Sequence, residues 1–564
     1  MAPIDTDSAA GVDDVVFDFV VVGGGTSGIV VANRLTEDPH VNVLVLEAGT
    51  NRLNDPRLMV PGLGIATYED PDFDWNFRSS PQEQLNGRQL LASQGRTLGG
   101  SSAINLGMVV YPSKVGMNAW EKLGNPGWGW DGLSPYIRKF YTAAAPSDET
   151  EDPIKGAGTG PFVSPGAVDP ITHTRSHAGA AYFGDSVQRR PNLRVVTGAL
   201  VEKLIFERRD GLVVATAVQV RKDDNTIKIP VKKEVILAAG ATHTPHILEL
   251  SGIGNADLLR SYGIEPVVDN PGVGENLQDH GIVSFGYEVA DGLPSGDMAR
   301  DPVVAAAAMA ACQKDGSGPL GMVPLVSAFM PCLDFPPDER AQLLQKLDIH
   351  NGGEISPCQK KQFDALRQIL QDPNEPTSQY ILAPFQLLPR EGPSPKGIFG
   401  LRHPGFFISI LSLSYPFSRG SVHLKSDDPK GSPIIDSGIL RHPVDLELQA
   451  RHSIWMEKIA ETEPMASLLK TGGARLHTVE RLTDVSKAKE LCKELVLSMF
   501  HLSGTCAMLP REDGGVVDSK LKVYGTSNVR VVDASLFPLE PRGNIQATVF
   551  AVAEKAADII KQSA

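Results

Sequence analysis

Five of the six positions Phe17-Asp18-Phe19-Val20-Val21-Val22 are apolar, and the run leads straight into three glycines. A β-branched and aromatic run closed by Gly23-Gly24-Gly25-Thr26-Ser27-Gly28 predicts a buried strand ending in a tight turn. Residues 29–35 then carry small and apolar side chains at helical spacing, and residues 41–47 form a second apolar run that predicts a second strand. Strand, glycine turn, helix and strand in that order make a βαβ unit with parallel strands. Residues 231–238 and 529–532 read as strands that extend this sheet, the first leading into a helix over 245–250. Residues 547–561 predict an amphipathic helix with Glu554, Lys555, Asp558 and Lys561 outward.

Between about 301 and 400 the pattern changes. Residues 305–311 read as an Ala/Met-rich helix, 316–324 as a Gly/Pro stretch, 338–347 as a charged helix and 348–357 as polar loops. Residues 406–415 alternate apolar side chains with serine and predict strand structure. No internal repeat or low-complexity linker interrupts the chain. Because elements of the parallel sheet stand at both ends, a second domain must be inserted into the first. The expected class is α/β (α+β overall): a Rossmann-type domain over 14–160, 191–297 and 505–564, and a domain of antiparallel sheet plus helices over 161–190 and 298–504.

Composition narrows the functions. At 564 residues the chain exceeds one ordinary core. A formal charge of −14 opposes general nucleic-acid binding. No apolar run reaches the roughly 18 residues of a membrane span, and the acidic first residues lack the basic-then-apolar pattern of a leader. There is no Asn-x-Ser/Thr sequon, and the five cysteines form no CxxC or Cys/His cluster. An intracellular, cytoplasmic location is the expectation. No His/Cys/Asp cluster has metal-ligand spacing, so no metal is expected. The oligomeric state is left open.

Gly23, Gly25 and Gly28 have the G-x-G-x-x-G spacing, which permits a tight turn, backbone approach to a pyrophosphate and close helix–strand packing. The pyrophosphate would sit on the helix N-terminus, at Thr26 and Ser27. Glu47 ends the second strand, where an acid accepts from ribose hydroxyls. Nothing local to the turn separates NAD from FAD. A second constellation runs from Gly95 through Arg96, Gly100, Ser101 and Ser102 to Asn105, a flexible backbone with hydroxyls suited to a phosphate or planar ring. A third, from Gly240 to Gly254, reads as strand, turn, helix and C-cap glycine, and most of its residues read as structural.

The second and third segments resemble the two signature patterns of the glucose–methanol–choline (GMC) family of flavin oxidoreductases. The third matches completely, and the second departs only at Val109. Further similarity covers Trp120 to Trp128, Pro271 to His280, Ser418 to Val422, His501-Leu502-Ser503-Gly504-Thr505 and Val532-Asp533-Ala534-Ser535. The resemblance implies FAD, with the glycine turn and Glu47 on its ADP half. It sets Ser101, Ser102 and Asn105 near the flavin, Val201 at the adenine, and Asp533 with Ala534 at a second contact. The stretch from Ser101 to Asn105 contains no His of the kind that attaches FAD in some relatives, so non-covalent FAD is expected.

The resemblance further makes His501 the base that removes an alcohol's hydroxyl proton while hydride passes to flavin N5. Imidazole is neutral near pH 7, as that task requires. Asn544 falls at the family's second catalytic position, where an amide can donate to the substrate oxygen and also border the cofactor. His243, His246, His280 and His423 are read as structural. Residues 305–311 with Met322, Val323, Leu325, Phe329, Met330, Phe385, Leu387 and Leu388 are the expected apolar pocket lining, for a hydrophobic or aromatic alcohol. The electron acceptor is O2 or another oxidant. The competing readings are a lyase or cyclase acting on an aromatic or polyketide-like intermediate with FAD mainly structural, light-driven flavin chemistry, and a silent binding protein.

Overall fold

In the computed structural model, which describes residues 15–142, 160–321, 323, 326–332, 335–348, 357–372, 375–400 and 407–563, the first apolar run becomes the centre of a sheet. Phe17–Val22 is buried throughout and pairs in parallel with Val43–Leu46 on one side and with the end of Asn225–Leu237 on the other, so that Val20 lies between Leu44 and Val235. Leu193–Val196 extends the sheet beyond Val43–Leu46, and Val529–Val531 adds in parallel to Val235, Ile236 and Leu237. Strands buried on both faces explain the continuous apolar runs.

Asn225–Leu237 is longer than its apolar tail predicts. Its first half pairs antiparallel with Leu212–Lys222, which pairs with Leu200–Arg209, completing seven strands. Asp223 and Asp224, at φ 48° and 63°, make the two-residue turn, the left-handed conformation that short hairpin turns need. These half-exposed strands carry charges on their outer face, which hides them from a search for apolar runs.

The second sheet is antiparallel, with strand order Leu497–Ser498, Gly281–Glu288, Phe407–Ser414, Ser378–Ala383, Val326–Met330 and Gly160–Val163. Gly281–Glu288 therefore belongs to this sheet, although the sequence division set it with the nucleotide-binding segments. The expected helices are present over Pro302–Asp315 and Pro337–Gln345, and a further one, Pro357–Gln371, follows the segment read as polar loop. Among the described residues no helix is long and apolar enough to cross a membrane.

The C-terminal helix, Gln546–Ser563, covers the parallel sheet beside Thr26–Leu35. Phe550 stacks on Phe140 and Tyr182 at centroid distances of 5.2 and 5.8 Å. Glu554, expected outward, is fully buried. Arg34 donates to both its oxygens at 2.8 and 2.7 Å, the Tyr182 hydroxyl donates at 2.9 Å, and Lys139 stands 2.9 Å away. The polar partners, each from a different segment, make burial of this carboxylate tolerable.

Candidate active site

The glycine turn closes as its spacing requires. A Cβ at Gly28 would stand 1.9 Å from the Gly23 carbonyl oxygen, so only glycine lets helix and strand approach this closely. The helix Thr26–Leu35 has no side-chain cap at Gly25, which leaves its first N–H groups available to an anion. Gly100 passes the turn so closely that a Cβ there would lie 2.7 Å from the Gly25 Cα.

One cavity runs from this turn to His501, with a volume of about 300 Å³ open to the centres of water-sized contents. Gly23, Gly25, Thr26, Ser27, Glu47, Gly100, Ser101, Ser102, Asn105, Val201, Asp533, Ala534, His501 and Asn544 all contribute to its wall. Gly28 and Arg96 do not. Gly28 acts through packing, and the Arg96 guanidinium lies over the Trp75 ring at 4.8 Å, so that Trp75 rather than Arg96 faces the cavity.

Several of these side chains are already engaged. Glu47 accepts from the Gly24 and Gly49 N–H groups at 2.8 and 2.7 Å, and burial pushes its carboxyl up to about 7. Asp533 accepts from Gly240 N–H, the Thr244 hydroxyl and Ser535 N–H, at 2.9, 2.6 and 2.8 Å. It fixes the backbone that borders the cavity. Ser102 donates to the Gly99 carbonyl at 2.7 Å, whereas Ser101 stands at the N-terminus of the short helix Ser101–Ile104.

His501 and Asn544 meet although 43 residues separate them. Asn544 Nδ2 lies 3.3 Å from His501 Nε2, and the Gln379 amide donates to Asn544 Oδ1 at 3.4 Å, which assigns the orientation of the Asn544 amide. Behind the ring, His501 Nδ1 is 3.0 Å from His280 Nδ1, and the main-chain N–H of His501 donates to Asp279 at 3.0 Å. Phe500, just before it, holds φ 62°, a left-handed conformation rare for a bulky residue and of the kind found at functional sites. Burial lowers the His501 pKa to about 3, so the imidazole is neutral throughout the working pH range.

Phe385 and Leu387, expected in the pocket, are on its wall. The Ala-rich helix is not: Pro302–Asp315 buries no side chain, and Val323, Phe329, Met330 and Leu388 also lie off the cavity. Met322 and Leu325 lie outside the described residues. The apolar surface near His501 comes instead from Tyr68, Ile398, Phe399, Leu497, Met499 and Phe500. These positions are scattered through the sequence and share no pattern that would have assembled them. His243 and His246, read as structural, also face the cavity. His280, His501 and Glu540 gather ligand-type atoms within 4.8 Å of one another, a grouping invisible in sequence spacing.

Family models described as GMC oxidoreductase match residues 17–157 and 164–282 with the N-terminal half and 416–553 with the C-terminal half. This chain belongs to the GMC oxidoreductase family. It is 32% identical over 608 residues to dehydrogenase mpl7 of Monascus purpureus, covering 97% of this chain and 96% of that one. Among solved structures it resembles an FAD-dependent oxidoreductase from Chaetomium thermophilum, at TM-score 0.85 and 28% identity over 97% and 99% of the two chains. It also resembles a fungal aryl-alcohol oxidase, at 0.81 and 27% over 97% and 99%.

The fold, a parallel Rossmann-like sheet joined to an antiparallel substrate-domain sheet, is that of the family, and FAD is the cofactor the family implies. The cavity fits it: an uncapped helix N-terminus for the pyrophosphate, a buried carboxylate at the end of the second strand, and glycine backbones where a Cβ would intrude. The protein is therefore a GMC FAD-dependent oxidoreductase.

Proposed function

We propose that this oxidoreductase converts a neutral, hydrophobic or aromatic primary or secondary alcohol to its carbonyl product, with FAD held non-covalently and O2 or another oxidant as terminal acceptor. The observation that carries the reading is the meeting of His501 and Asn544 on a cavity wall otherwise apolar at that end, with no Lys or Arg among its described lining residues. A carboxylate substrate would be desolvated there without a countercharge, at a cost of several kcal/mol.

When bound, FAD supplies the hydride acceptor. The alcohol oxygen takes the place of the direct His501–Asn544 contact. His501 Nε2 accepts the hydroxyl proton, and the Asn544 amide donates to the oxygen as negative charge develops on it. The Asp279 carboxylate, accepting from the His501 main-chain N–H, and the Phe500 backbone fix the main chain that carries the imidazole, and the apolar wall excludes water. The absence of a His between Ser101 and Asn105 supports non-covalent attachment, which release of the yellow cofactor on acid precipitation tests.

The activity test is anaerobic mixing of the yellow protein with a series of benzylic and aliphatic alcohols. Bleaching of the oxidised flavin band by aromatic alcohols is expected. Conversion of substrate with the band unchanged would replace oxidation by lyase or cyclase chemistry.

A further inference from the structure

The strand Ser378–Ala383 presents Ile381 to the cavity, and its period of two sets Gln379 on the same face, just behind the wall. Gln379 is buried and backs onto the turn that carries Asn544. A Cβ at Gly543, which holds φ 74°, would stand 2.9 Å from Gln379 Oε1. Gln379 Nε2 lies 3.1 Å from Ser327 Oγ, 3.4 Å from Asn544 Oδ1 and 3.6 Å from Met108 Sδ. Ser327, on the neighbouring strand Val326–Met330, is in turn 2.9 Å from the buried Ser164 hydroxyl. Among the described residues Gln379 Oε1 has no hydrogen-bond partner. A buried amide oxygen left unpaired is costly, so the side chain is held in place by what its NH2 group does.

Met108 decides which end of each amide faces which neighbour. A thioether sulfur only accepts, so the Gln379 atom turned toward Met108 Sδ is the NH2 group. The same NH2 group faces Asn544, whose nearer atom is therefore the acceptor Oδ1. That leaves Asn544 Nδ2 toward His501 Nε2 at 3.3 Å. His501 Nε2 is then an acceptor, and the ring proton sits on Nδ1. A line of polar contacts that starts at a side chain with no alternative orientation thus reaches the ring at the site.

We propose that Gln379 is the positioning residue that keeps the Asn544 amide in its donating orientation during oxidation of the alcohol. The inference rests on the alcohol-oxidising reading above. The two ends of an asparagine amide are nearly equal in size, so hydrogen bonds rather than packing choose between its orientations. Inverted, Asn544 would turn the Oδ1 lone pairs toward the substrate oxygen, where negative charge develops. It would also face His501 Nε2 with an acceptor and draw the ring proton to that nitrogen, filling the position that receives the hydroxyl proton. Inversion therefore removes the donor and the base together. Gln379 lies off the cavity wall and acts only through Asn544.

Two replacements of Gln379 act differently on that orientation. Gln379→Leu removes the donor and imposes neither orientation. In Gln379→Glu the ionised carboxylate only accepts, so Asn544 turns Nδ2 to it and inverts. Once protonated, the introduced carboxyl donates as the glutamine amide does, and the original orientation returns. The sign of the pH effect follows: the variant is impaired at high pH and recovers as the pH falls. His501 itself stays neutral over that range, so its own titration does not produce the effect.

The test uses the FAD-loaded enzyme, with flavin reduction by an aromatic alcohol followed in stopped flow between pH 5 and 9. At pH 9 Gln379→Glu should reduce its flavin about 10²-fold more slowly than the wild type, the scale of a lost oxyanion donor, and the ratio of the two rates should approach one as the pH falls. Gln379→Leu should cost about tenfold, and in the Asn544→Ala background it should cost nothing further, because it acts through Asn544. Nitrogen-15 spectra of histidine-labelled protein, with His501→Ala identifying the signal, should show the His501 proton on Nδ1 in the wild type and on Nε2 in Gln379→Glu at pH 9. Flavin content and melting temperature identify a variant that misfolds, in which case Gln379→Met, of similar length and without a donor, replaces Gln379→Leu. Equal losses from Gln379→Leu with and without Asn544, a Gln379→Glu rate that parallels the wild type at every pH, or a His501 tautomer unchanged in Gln379→Glu would each overturn the inference. If no alcohol bleaches the wild type, the oxidation reading fails, and the His501 tautomer still decides whether Gln379 sets the orientation of Asn544.

Discussion

In the proposed reaction the chemistry condenses onto one ring atom, His501 Nε2, and the expected effects of substitution differ according to what each neighbour does for it. Replacing His501 by Ala removes the proton acceptor but none of the cradle around the glycine turn. The variant should remain yellow and reduce its flavin ~10²–10⁴-fold more slowly; a colourless variant would give His501 a structural role instead. Asn544→Ala removes a donor whose bond strengthens as the oxygen becomes an alkoxide, so kcat should fall about 10²-fold with a smaller change in KM. Steady-state kinetics that show the loss mainly in KM would count against that role. Both residues could be singled out in the sequence because each stands in a family-like motif, His501 before Leu-Ser-Gly-Thr and Asn544 after Gly543, and the structure brings them together on the cavity wall. His280 was not recognised as their neighbour. A contact across 221 residues depends on how two sheets meet, and no local pattern encodes it.

At the scale of elements, the βαβ unit was legible because its constraints are local: apolar runs, a helix period and glycines where no Cβ fits. Gly28 illustrates the strength of the constraint. Gly28→Ala sets a methyl group 1.9 Å from the Gly23 carbonyl, so the turn must open, and flavin content after purification should drop sharply. The hairpin over residues 200–237 was missed because its turn is Asp-Asp rather than Asn-Gly and its outer face is charged. Another connection between elements is pH-sensitive. His423, beside Val422, donates to the fully buried Glu249 on the helix Gly240–Leu250 at 2.7 Å and stands 3.1 Å from Glu275. Burial opposes its charge, but Glu249 and Glu275 outweigh burial and raise its pKa from 6.5 to about 9. His423 gains proton affinity on folding, so its stabilisation is complete below about pH 6.5 and is lost as the pH rises through about 9. At 1.36 kcal/mol per pH unit, the contribution is about 3 kcal/mol at most. Thermal melts from pH 6 to 10 should show a fall in stability above pH 7 that is shallower in His423→Gln.

For the molecule as a whole, the inserted arrangement was legible, whereas the identity of the pocket wall was not. The apolar residues from 305 to 330 looked like lining by composition. The helix Pro302–Asp315 instead lies on the surface, and the surface near His501 is assembled from short segments around 68, 398 and 499. Composition reports how much apolar surface exists, and only the packing of the two sheets decides which part encloses a substrate. The same limit accounts for Glu554. Its place on an amphipathic helix predicts exposure, but the helix is covered on a second side by residues 136–141 and 178–183, and the carboxylate becomes the buried meeting point of Arg34, Lys139 and Tyr182. Burial alone would raise its pKa, yet Arg34 and Lys139 outweigh burial and lower it, so Glu554 remains ionised at neutral pH. It thereby ties the C-terminal helix to the first helix across 520 residues of sequence. Glu554→Ala leaves the inward-facing Tyr182 hydroxyl without its acceptor and Arg34, about one-quarter exposed, with Glu37 alone. Breaking a buried ion pair costs about 3–5 kcal/mol, and the partial exposure of Arg34 moves the expectation to about 3. Urea unfolding should show a lower midpoint with an unchanged slope. Because Glu554 lies outside the cavity wall, flavin reduction per bound FAD should stay at the wild-type rate, separating the cohesion of the molecule from its chemistry.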